Sequence, residues 1–278
     1  MKQFFKYVFA TILGLFLFWG VGLIILIIIG VAASGDQEAN ISDNSVLSLK
    51  FEGPIKERSS DNPFGDLEIP GQQPGAVGVL EIRKAIAHAK TDPQIKGIYL
   101  ENSYLSAGFG SVEEIRESLL DFKKSGKFIY AYAEVYTEGA YYLASVADSV
   151  LLNPVGEVEF NGLSSTIPFF KGTLAKLEIT PEIFKVGDYK SAVEPFFLDK
   201  MSPAAREQTN SFLNSIYNHM LSKIAESRKL DVNYLKSVSD SMKVQSAPDA
   251  LSYKLVSRLA YYDEVLDLLR KKIGSRKG

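Results

Sequence analysis

The sequence contains no cysteine and only two histidines among its 278 residues. The absence of cysteine excludes disulfide bonds, thiolate metal sites and a cysteine nucleophile. His88 and His219 lie in helix-like stretches, which favours structural roles over a histidine metal site or a serine–histidine triad. We therefore expect no metal ion and no cofactor, and any hydrolytic chemistry must use other side chains.

The chain also lacks a large excess of positive or negative charge. The net charge is −2 and no basic face with interleaved aromatic residues is seen, so the sequence does not indicate a nucleic-acid partner. Hydrophobic residues make up 46% of the chain, which is long enough for one large domain or two small ones.

One long hydrophobic run lies near the start of the chain. No charged residue occurs between Tyr7 and Gly35, whereas a bilayer core of about 30 Å needs roughly 20 apolar residues. A cleaved signal peptide is the alternative, but its apolar region normally has only about 7 to 15 residues. The length favours an uncleaved transmembrane anchor in residues 1–35, and hence contact with a lipid bilayer.

The charges around this run predict its orientation. Lys2 and Lys6 precede it, whereas Asp36 and Glu38 follow it. The positive-inside rule then places the short N-terminus in the cytoplasm and the rest of the chain across the membrane. We expect a polar tether at residues 36–44 and a folded domain at residues 45–278.

The domain alternates between strand and helix patterns. Three strands are predicted: Ile95–Glu101, Lys127–Val135 and Ser149–Asn153, which Pro154 ends. Between the first two lies a helix, Val112–Lys124, for which Ser111 and Glu114 would form a capping box. This alternation predicts an α/β fold with a parallel sheet flanked by helices.

Further elements are predicted outside this core. They are strands at Val46–Phe51 and Ile183–Val186, a loop at residues 58–76, and helices at Pro203–Lys229, Ala247–Lys254 and Asp263–Ile273. The helix at Pro203 has Ser202 as its N-cap, followed by a proline at the first helical position.

Three stretches combine the residue types that a catalytic site needs. "LENSYLSAGFGS", residues 100–111, follows a strand, carries Gly108 and Gly110, and leads into a helix. Such a loop can present backbone N–H groups to an oxyanion or to a peptide backbone. The second stretch is "YTEGAYYLAS", residues 136–145, and the third is "GDYKSAVEPF", which contains Lys190. Taken alone, the first two are ordinary loop sequences.

Together these stretches resemble the signal peptide peptidase A (SppA) family, serine–lysine peptidases of the ClpP/crotonase superfamily. The stretches that carry the resemblance are "VGDYKSAVEPFFLDKMSPAAREQ", "GAYYLASVAD", "ADSVLLNPVGEVEFNGL" and "DALSYKLVSRLAYYDEV". The resemblance implies a ClpP/crotonase-like fold, signal peptides as substrates, and a homo-oligomer, specifically a tetramer. It also implies the inner membrane as the location, with the domain on the periplasmic side, and Lys190 as the general base.

A lysine can act as a base only when it is neutral. A free lysine has a pKa of about 10.4, and lowering it by about 3 requires roughly 4 kcal/mol of differential interaction. Burial against Val193, Phe196 and Phe197 would supply this. The alternative is a structural lysine at a strand end with its charge in water.

The sequence departs from the family pattern at one position. Short SppA enzymes carry the nucleophile as the serine of Ala-Ser-Gly-Gly-Tyr-Tyr, and the matching stretch here, residues 137–142, has Glu138 at the serine position. The chain thus resembles the N-terminal half of a double-length SppA, in which the serine belongs to a homologous C-terminal half. We expect the chain alone to be inactive. Glu138 either fills the old nucleophile position or, as we favour, is solvated at a helix start, where a carboxylate suits the helix dipole.

Other serines are weaker candidates for the nucleophile. Ser191 is adjacent to Lys190 and would point to the opposite face of an extended segment. Ser145 is expected to be buried. Ser103, Ser106 and Ser111 lie in the glycine-bearing loop and stay open as candidates.

The sequence therefore predicts the lysine half of a membrane-bound serine–lysine endopeptidase that digests cleaved signal peptides. One alternative is a non-catalytic, membrane-anchored scaffold on the same fold. Another is a crotonase-type acyl-CoA enzyme, against which the anchor and the lysine motif argue.

Overall fold

The computed structural model describes residues 2–33, 41–58 and 76–274. Most of the predicted tether, residues 36–44, and of the predicted loop, residues 58–76, lies outside these ranges. The chain divides into two compact units, Met1–Ser42 and Asp43–Gly278.

The first unit contains helix α1, Lys2–Ala33. Its segment Gln3–Ile28 has 26 residues and a mean hydropathy of 2.7, so it is long and apolar enough to cross a membrane. At 1.5 Å per residue it spans about 39 Å, more than the roughly 30 Å of a bilayer core. A signal sequence satisfies the same criteria of length and composition.

The second unit contains the remaining elements of the described residues. Its strands are β1 Ser45–Leu49, β2 Ile55–Lys56, β3 Val77–Gly78, β4 Ile95–Glu101, β5 Phe128–Tyr136, β6 Ser149–Val158 and β7 Arg258–Leu259. Its helices are α2 Val79–Thr91, α3 Phe109–Lys123, α4 Glu138–Ala144, α5 Lys171–Lys176, α6 Glu194–Phe197, α7 Pro203–Arg228, α8 Val232–Asp240, α9 Ala247–Ser252 and α10 Tyr262–Ile273.

Five strands form one parallel sheet in the order β1-β4-β5-β6-β7. In β4 the four consecutive residues Gly97–Leu100 are buried, so helices cover both faces of the sheet. The predicted α/β fold with a parallel sheet flanked by helices is therefore confirmed. Because every strand runs the same way, all strands begin at one edge of the sheet, the amino edge, and end at the opposite, carboxyl edge.

Helix α10 covers part of the sheet with an apolar stripe. Val265 and Leu269 pack in one cluster with Phe128, Tyr132 and Leu151. Burying each such side chain contributes about 1.5–3 kcal/mol. The C-terminal helix thereby fixes the strands whose ends carry the candidate site.

Strand β6 runs through Pro154 to Val158, so the prediction that this proline ends the strand is wrong. Leu152 pairs with Ala133, and pairing resumes only at Glu157 with Val135, which leaves Pro154 in a bulge. A proline is tolerated there because a bulge requires no ladder hydrogen bond from it. Gly156 belongs to the same bulge, since a Cβ on it would lie 1.9 Å from the Glu134 carbonyl oxygen.

Helix α3 begins at Phe109, with Gly108 as its N-cap, so Ser111 lies inside the first turn. The predicted capping box is absent, because no side chain caps this end and Glu114 instead accepts a 2.7 Å hydrogen bond from Arg83. The ring of Phe109 stacks on Tyr142 at 5.6 Å. Tertiary packing, rather than a local cap, sets the start of the helix.

The C-terminal helices follow their sequence signals closely. The Ser202 hydroxyl accepts a 3.1 Å hydrogen bond from the N–H of Ala205, which confirms the predicted N-cap of α7. Helix α8 was not predicted, although Asp231 caps it by accepting a 2.8 Å hydrogen bond from the N–H of Tyr234.

Candidate active site

Two of the three predicted stretches meet at the carboxyl edge of the sheet. The carbonyl oxygen of Ser103 accepts hydrogen bonds from the N–H and the hydroxyl of Thr137, both at 3.0 Å. On its other side, the loop after β4 accepts a 2.8 Å bond at the Ser106 carbonyl from the N–H of Ile55. The glycine-bearing loop is therefore held between β2 and the start of α4.

Asn102, which is not among the residues predicted from the sequence, fixes the base of this loop. Its side chain is buried; it accepts a 2.8 Å hydrogen bond from the N–H of Phe51 and donates one of 2.8 Å to the carbonyl of Leu49. An amide is suited to this position because it can donate and accept at once. The ends of β1 and β4 are thus locked together.

Gly108 and Gly110 line an open groove of about 560 Å³ with Arg83, Ser111 and Glu114. A Cβ on either glycine would meet nothing within 4 Å, so the packing of this chain does not itself require glycine there. The first turn of α3 presents backbone N–H groups that the helix does not use internally. The groove therefore lies beside backbone N–H groups that can donate hydrogen bonds.

Glu138 is the first residue of α4 and is half-buried, so the favoured prediction of a solvated carboxylate is wrong. Its Oε1 accepts a 3.1 Å hydrogen bond from the N–H of Gly162, in the segment after β6. Burial raises the pKa of Glu138 to about 7; the Gly162 bond opposes this rise and repulsion from Glu159 adds to it. A carboxyl with a raised pKa thus lies at the position where the resemblance predicts a serine.

We expect Glu138→Gln to stabilise the protein above neutral pH. The native carboxyl keeps its proton to a higher pH than the unfolded one, so the native protein loses stability as pH rises from about 4.5 to about 7. Glutamine stays neutral, so the variant should be more stable by about 3 kcal/mol at pH 8.5, but not at pH 4. Urea unfolding in detergent, followed by circular dichroism at both pH values, measures this difference.

The matched control for this variant is Glu134→Gln, at an exposed carboxylate of β5. That change should alter stability equally little at both pH values. If Glu138→Gln had the same effect at pH 4 and at pH 8.5, the native carboxyl would titrate like a solvated one.

Lys190 lies directly before a 3₁₀ turn, Ser191–Val193, and its side chain is exposed. It lines an open pocket of about 470 Å³ together with Phe184, Val186 and Val193. The predicted strand at Ile183–Val186 is wrong, because this segment is irregular and has no partner in the sheet. Phe184 and Val186 are instead 89% and 88% exposed.

Glu194 anchors the loop that carries Lys190. It is only 1% exposed and accepts three hydrogen bonds, from Lys185 Nζ at 3.1 Å, from Ser202 N at 3.0 Å and from Ser202 Oγ at 2.7 Å. Burial alone would raise the pKa of Glu194, but these donors outweigh it and hold the pKa below its usual range. A lone carboxylate within "AVEPFF" is the sequence signal that could have revealed this role.

The rest of the Lys190 loop is attached to α5 and α7. The hydroxyl of Tyr189 donates a 3.2 Å hydrogen bond to Glu207. The N–H of Phe170 donates a 2.7 Å bond to the carbonyl of Pro195. Within residues 76–274 no hydrogen bond joins this loop to the glycine-bearing loop or to α4. Hydrogen bonds therefore join two of the three predicted stretches to each other, whereas the third is bonded to α5 and α7.

Within the described residues, three of the candidate serines, Ser103, Ser106 and Ser145, lack a lysine partner. Ser145 is fully buried and donates a 2.8 Å hydrogen bond to the carbonyl of Tyr142, which confirms its predicted burial. Ser103 and Ser106 are exposed, and their carbonyl oxygens fix the loop. In the part of the chain that the structure describes, none of them hydrogen-bonds to a lysine that could act as its base.

Each histidine lies next to one carboxylate. His219 Nε2 lies 3.2 Å from Glu113, and His88 Nε2 lies 3.3 Å from Asp92. Among the described residues no three histidine, aspartate or glutamate side chains converge as metal ligands would.

Comparison with known sequences places the chain in a family. Residues 121–276, more than half of the chain, match peptidase family S49. The chain belongs to this family of peptidases, which confirms the resemblance to SppA-type enzymes.

Several curated relatives support this assignment. Protease 4 of Haemophilus influenzae is 34% identical over 218 residues, which cover 77% of this chain and 35% of that protein. Protease 4 of Salmonella typhi is 33% identical over 271 residues, covering 92% and 43%. The chloroplastic serine protease SPPA of Arabidopsis thaliana is 28% identical over 242 residues, covering 85% and 33%. The chain therefore spans less than half the length of these relatives.

Proposed function

We propose that this chain is the lysine-bearing half of a membrane-anchored serine–lysine endopeptidase that digests cleaved signal peptides. Lys190 is the general base, and the nucleophilic serine belongs to a homologous second half. Membership of family S49 supports peptide hydrolysis. The part of each relative that aligns with this chain is less than half of that relative, which is compatible with a second half.

The observation that carries this proposal is the exposure of Lys190 and of the apolar side chains in its loop. The buried Glu194 holds the loop, yet Lys190 and the apolar side chains around it are uncovered. Phe184 and Val186, nearly fully exposed, form the kind of apolar surface that a partner covers. A partner surface on Phe184 and Val186 would remove water from Lys190 and favour its neutral, basic form.

The chemistry then follows from two loops and a partner serine. The neutral amine of Lys190 takes the proton from the serine hydroxyl as its oxygen attacks the peptide carbonyl carbon. Backbone N–H groups at Gly108 and Gly110 hold the negative oxygen of the tetrahedral intermediate. The resulting ammonium returns its proton to the leaving amine, and water hydrolyses the acyl-enzyme with the same lysine as base.

The proposal also assigns a location and an assembly. Helix α1 is the single-pass anchor in the inner membrane, with Lys2 and Lys6 in the cytoplasm and the domain on the periplasmic side. The exposed apolar surface next to Lys190 supports a homo-oligomer, for which the resemblance implies a tetramer.

Hydrolysis of an apolar peptide ester tests whether the base and the nucleophile belong to different halves of the enzyme. The purified chain alone should be inactive, because Glu138 stands where the serine is expected. The chain paired with its homologous half should be active. Turnover by the chain alone, abolished by Lys190→Ala, would show that a serine within it serves as nucleophile. No turnover by the paired halves would favour the non-catalytic scaffold.

A further inference from the structure

Four lysines surround an open groove of about 510 Å³, here called the lysine groove. Lys96 is the second residue of β4, Lys127 directly precedes β5, and Lys123 and Lys272 lie at the ends of α3 and α10. Because Lys96 and Lys127 mark strand beginnings, the groove lies at the amino edge of the sheet. The glycine-bearing loop lies at the opposite edge.

The positive charge of the lysine groove is largely uncompensated. Of the described residues that line it, Asp148 is the one carboxylate, and it pairs with Lys123 at 2.8 Å. Its other oxygen accepts a 2.9 Å hydrogen bond from the N–H of Ile129. The four lysines and one aspartate that line the groove carry a net charge of +3, in a chain whose net charge is −2. Asp92, outside the lining, also acts on Lys127.

Backbone carbonyls hold two of these ammonium groups without neutralising them. Lys96 Nζ donates a 2.8 Å hydrogen bond to the carbonyl of Pro93. Lys127 Nζ donates to the carbonyls of Ala89 at 2.6 Å and Asp92 at 2.5 Å. These bonds hold the two amino groups in place at the groove.

The groove also has aromatic walls. Lys272 Nζ lies 5.9 Å from the centre of the Phe128 ring, and Tyr130 lines the groove beside it. A Cβ on Gly97 would lie 2.6 Å from the Phe128 ring, so glycine is needed for this ring position. Aromatic rings next to lysines match the chemistry of the boundary between lipid headgroups and acyl chains.

The chain enters the folded domain at this edge of the sheet. Ser45, the first residue of β1, pairs with Ile95, so the chain enters the domain at the amino edge. Residues 34–44 connect α1 to this strand and can span at most about 40 Å when fully extended. If α1 spans the bilayer, a connection of this length allows the amino edge to reach the lipid headgroups.

We propose that the lysine groove docks on the anionic phospholipid headgroups of the bilayer in which α1 is anchored. The amino edge of the sheet then rests on the membrane, and the candidate active site at the carboxyl edge faces away from it. This inference depends on α1 as an anchor but not on peptidase activity. Free phosphate compounds share the chemistry of the headgroup, and the experiment must separate the two.

The absence of cysteine allows a single probe to be attached to the full chain. Ser125→Cys places a fluorophore on the exposed turn after α3, beside the groove. The chain is reconstituted in vesicles of phosphatidylcholine, with or without phosphatidylglycerol, that contain a nitroxide-headgroup lipid as quencher. We expect stronger quenching with the anionic lipid, and salt should weaken it because Lys96 and Lys272 are exposed.

Charge removal gives the quantitative test. One lysine near an anionic surface contributes about fivefold to partitioning, so Lys96→Gln with Lys272→Gln should lower the docked-to-free ratio by about 25-fold. The matched control replaces Lys236 and Lys243, two exposed lysines on α8 and the turn after it, and should have little effect. Circular dichroism verifies that both double variants fold.

Two results would overturn the proposal. One is equal quenching in the two kinds of vesicle, or quenching that the Lys96 and Lys272 substitutions leave unchanged. The other is saturable binding of glycerol phosphate in detergent that depends on these lysines while quenching shows no preference for anionic lipid. That second result would identify a site for a soluble phosphate compound instead.

Discussion

Lys190→Met in the complete enzyme, with both halves present, is expected to lower kcat/KM by about 10²- to 10⁴-fold. Methionine keeps nearly the same length without the amine, so the proton of the serine loses its acceptor. Folding and assembly should survive, because the Lys190 side chain is exposed and makes no hydrogen bond within the described residues. Peptide-ester hydrolysis gives the rate, and circular dichroism with gel filtration verifies the fold and the assembly.

The pH dependence of kcat/KM and a control variant show whether Lys190 acts as a base or is a structural lysine. The kcat/KM of the unmodified enzyme should reach its plateau well below about pH 10, where a water-exposed lysine loses its proton. Lys200→Met, at an exposed lysine of the same segment, should leave the rate almost unchanged. Retained activity in Lys190→Met, or a rate that rises only near pH 10, would make Lys190 a structural residue.

Glu194→Ala is expected to release the Lys190 loop from the domain. The change leaves the Lys185 ammonium and both donors of Ser202 without their buried acceptor. Removing one partner of a buried pair typically costs about 3–5 kcal/mol. Hydrogen exchange across residues 185–202 should therefore accelerate strongly, and hydrolysis by the complete enzyme should fall because the base is no longer held in place.

The effect of Glu194→Ala should depend on pH. Since the donors hold the pKa of Glu194 below its usual range, its stabilising contribution is present at neutral pH. It is lost as pH falls through the lowered native pKa, where the variant and the unmodified protein should converge. Glu182→Ala, at an exposed carboxylate nearby, is the control and should change exchange little. Unchanged exchange in Glu194→Ala at neutral pH would mean that other contacts hold the loop.

Local sequence signals predicted the structure correctly where a segment's structure depends mainly on its own residues. The apolar run Ile95–Glu101 is found as β4 with the predicted bounds. The N-cap of α7 is found at Ser202, because capping involves only neighbouring residues. The parallel sheet followed from the strand–helix alternation.

Long-range contacts decided the features that the sequence could not reveal. The strand predicted at Ile183–Val186 has suitable residues but no neighbouring strand to pair with. Pro154 is accommodated because Gly156 approaches the Glu134 carbonyl closely in a bulge. Glu138 is covered by the segment around Gly162, 24 residues further along the chain. Burial by a distant segment raises the pKa of Glu138, and the sequence around Glu138 does not indicate it.

The sequence identified the stretches that form the candidate site, but it did not reveal which of them contact one another. The glycine-bearing loop and the start of α4 do meet, through Ser103 and Thr137. Lys190 instead belongs to a loop whose hydrogen bonds run to α5 and α7. Glu194, which positions this loop, stands out in the sequence as a lone carboxylate in an apolar stretch, but its partners Lys185 and Ser202 could not be inferred from that stretch.

Mapping the reactive serine tests the central claim most directly. A fluorophosphonate reacts covalently with an activated serine, and mass spectrometry of the digested complete enzyme identifies the modified residue. We predict that the label falls on a serine outside this chain, that Lys190→Met slows labelling, and that the chain alone is not labelled. Labelling of Ser103, Ser106 or Ser111 in the chain alone would contradict the account, because this chain would then carry both its base and its nucleophile.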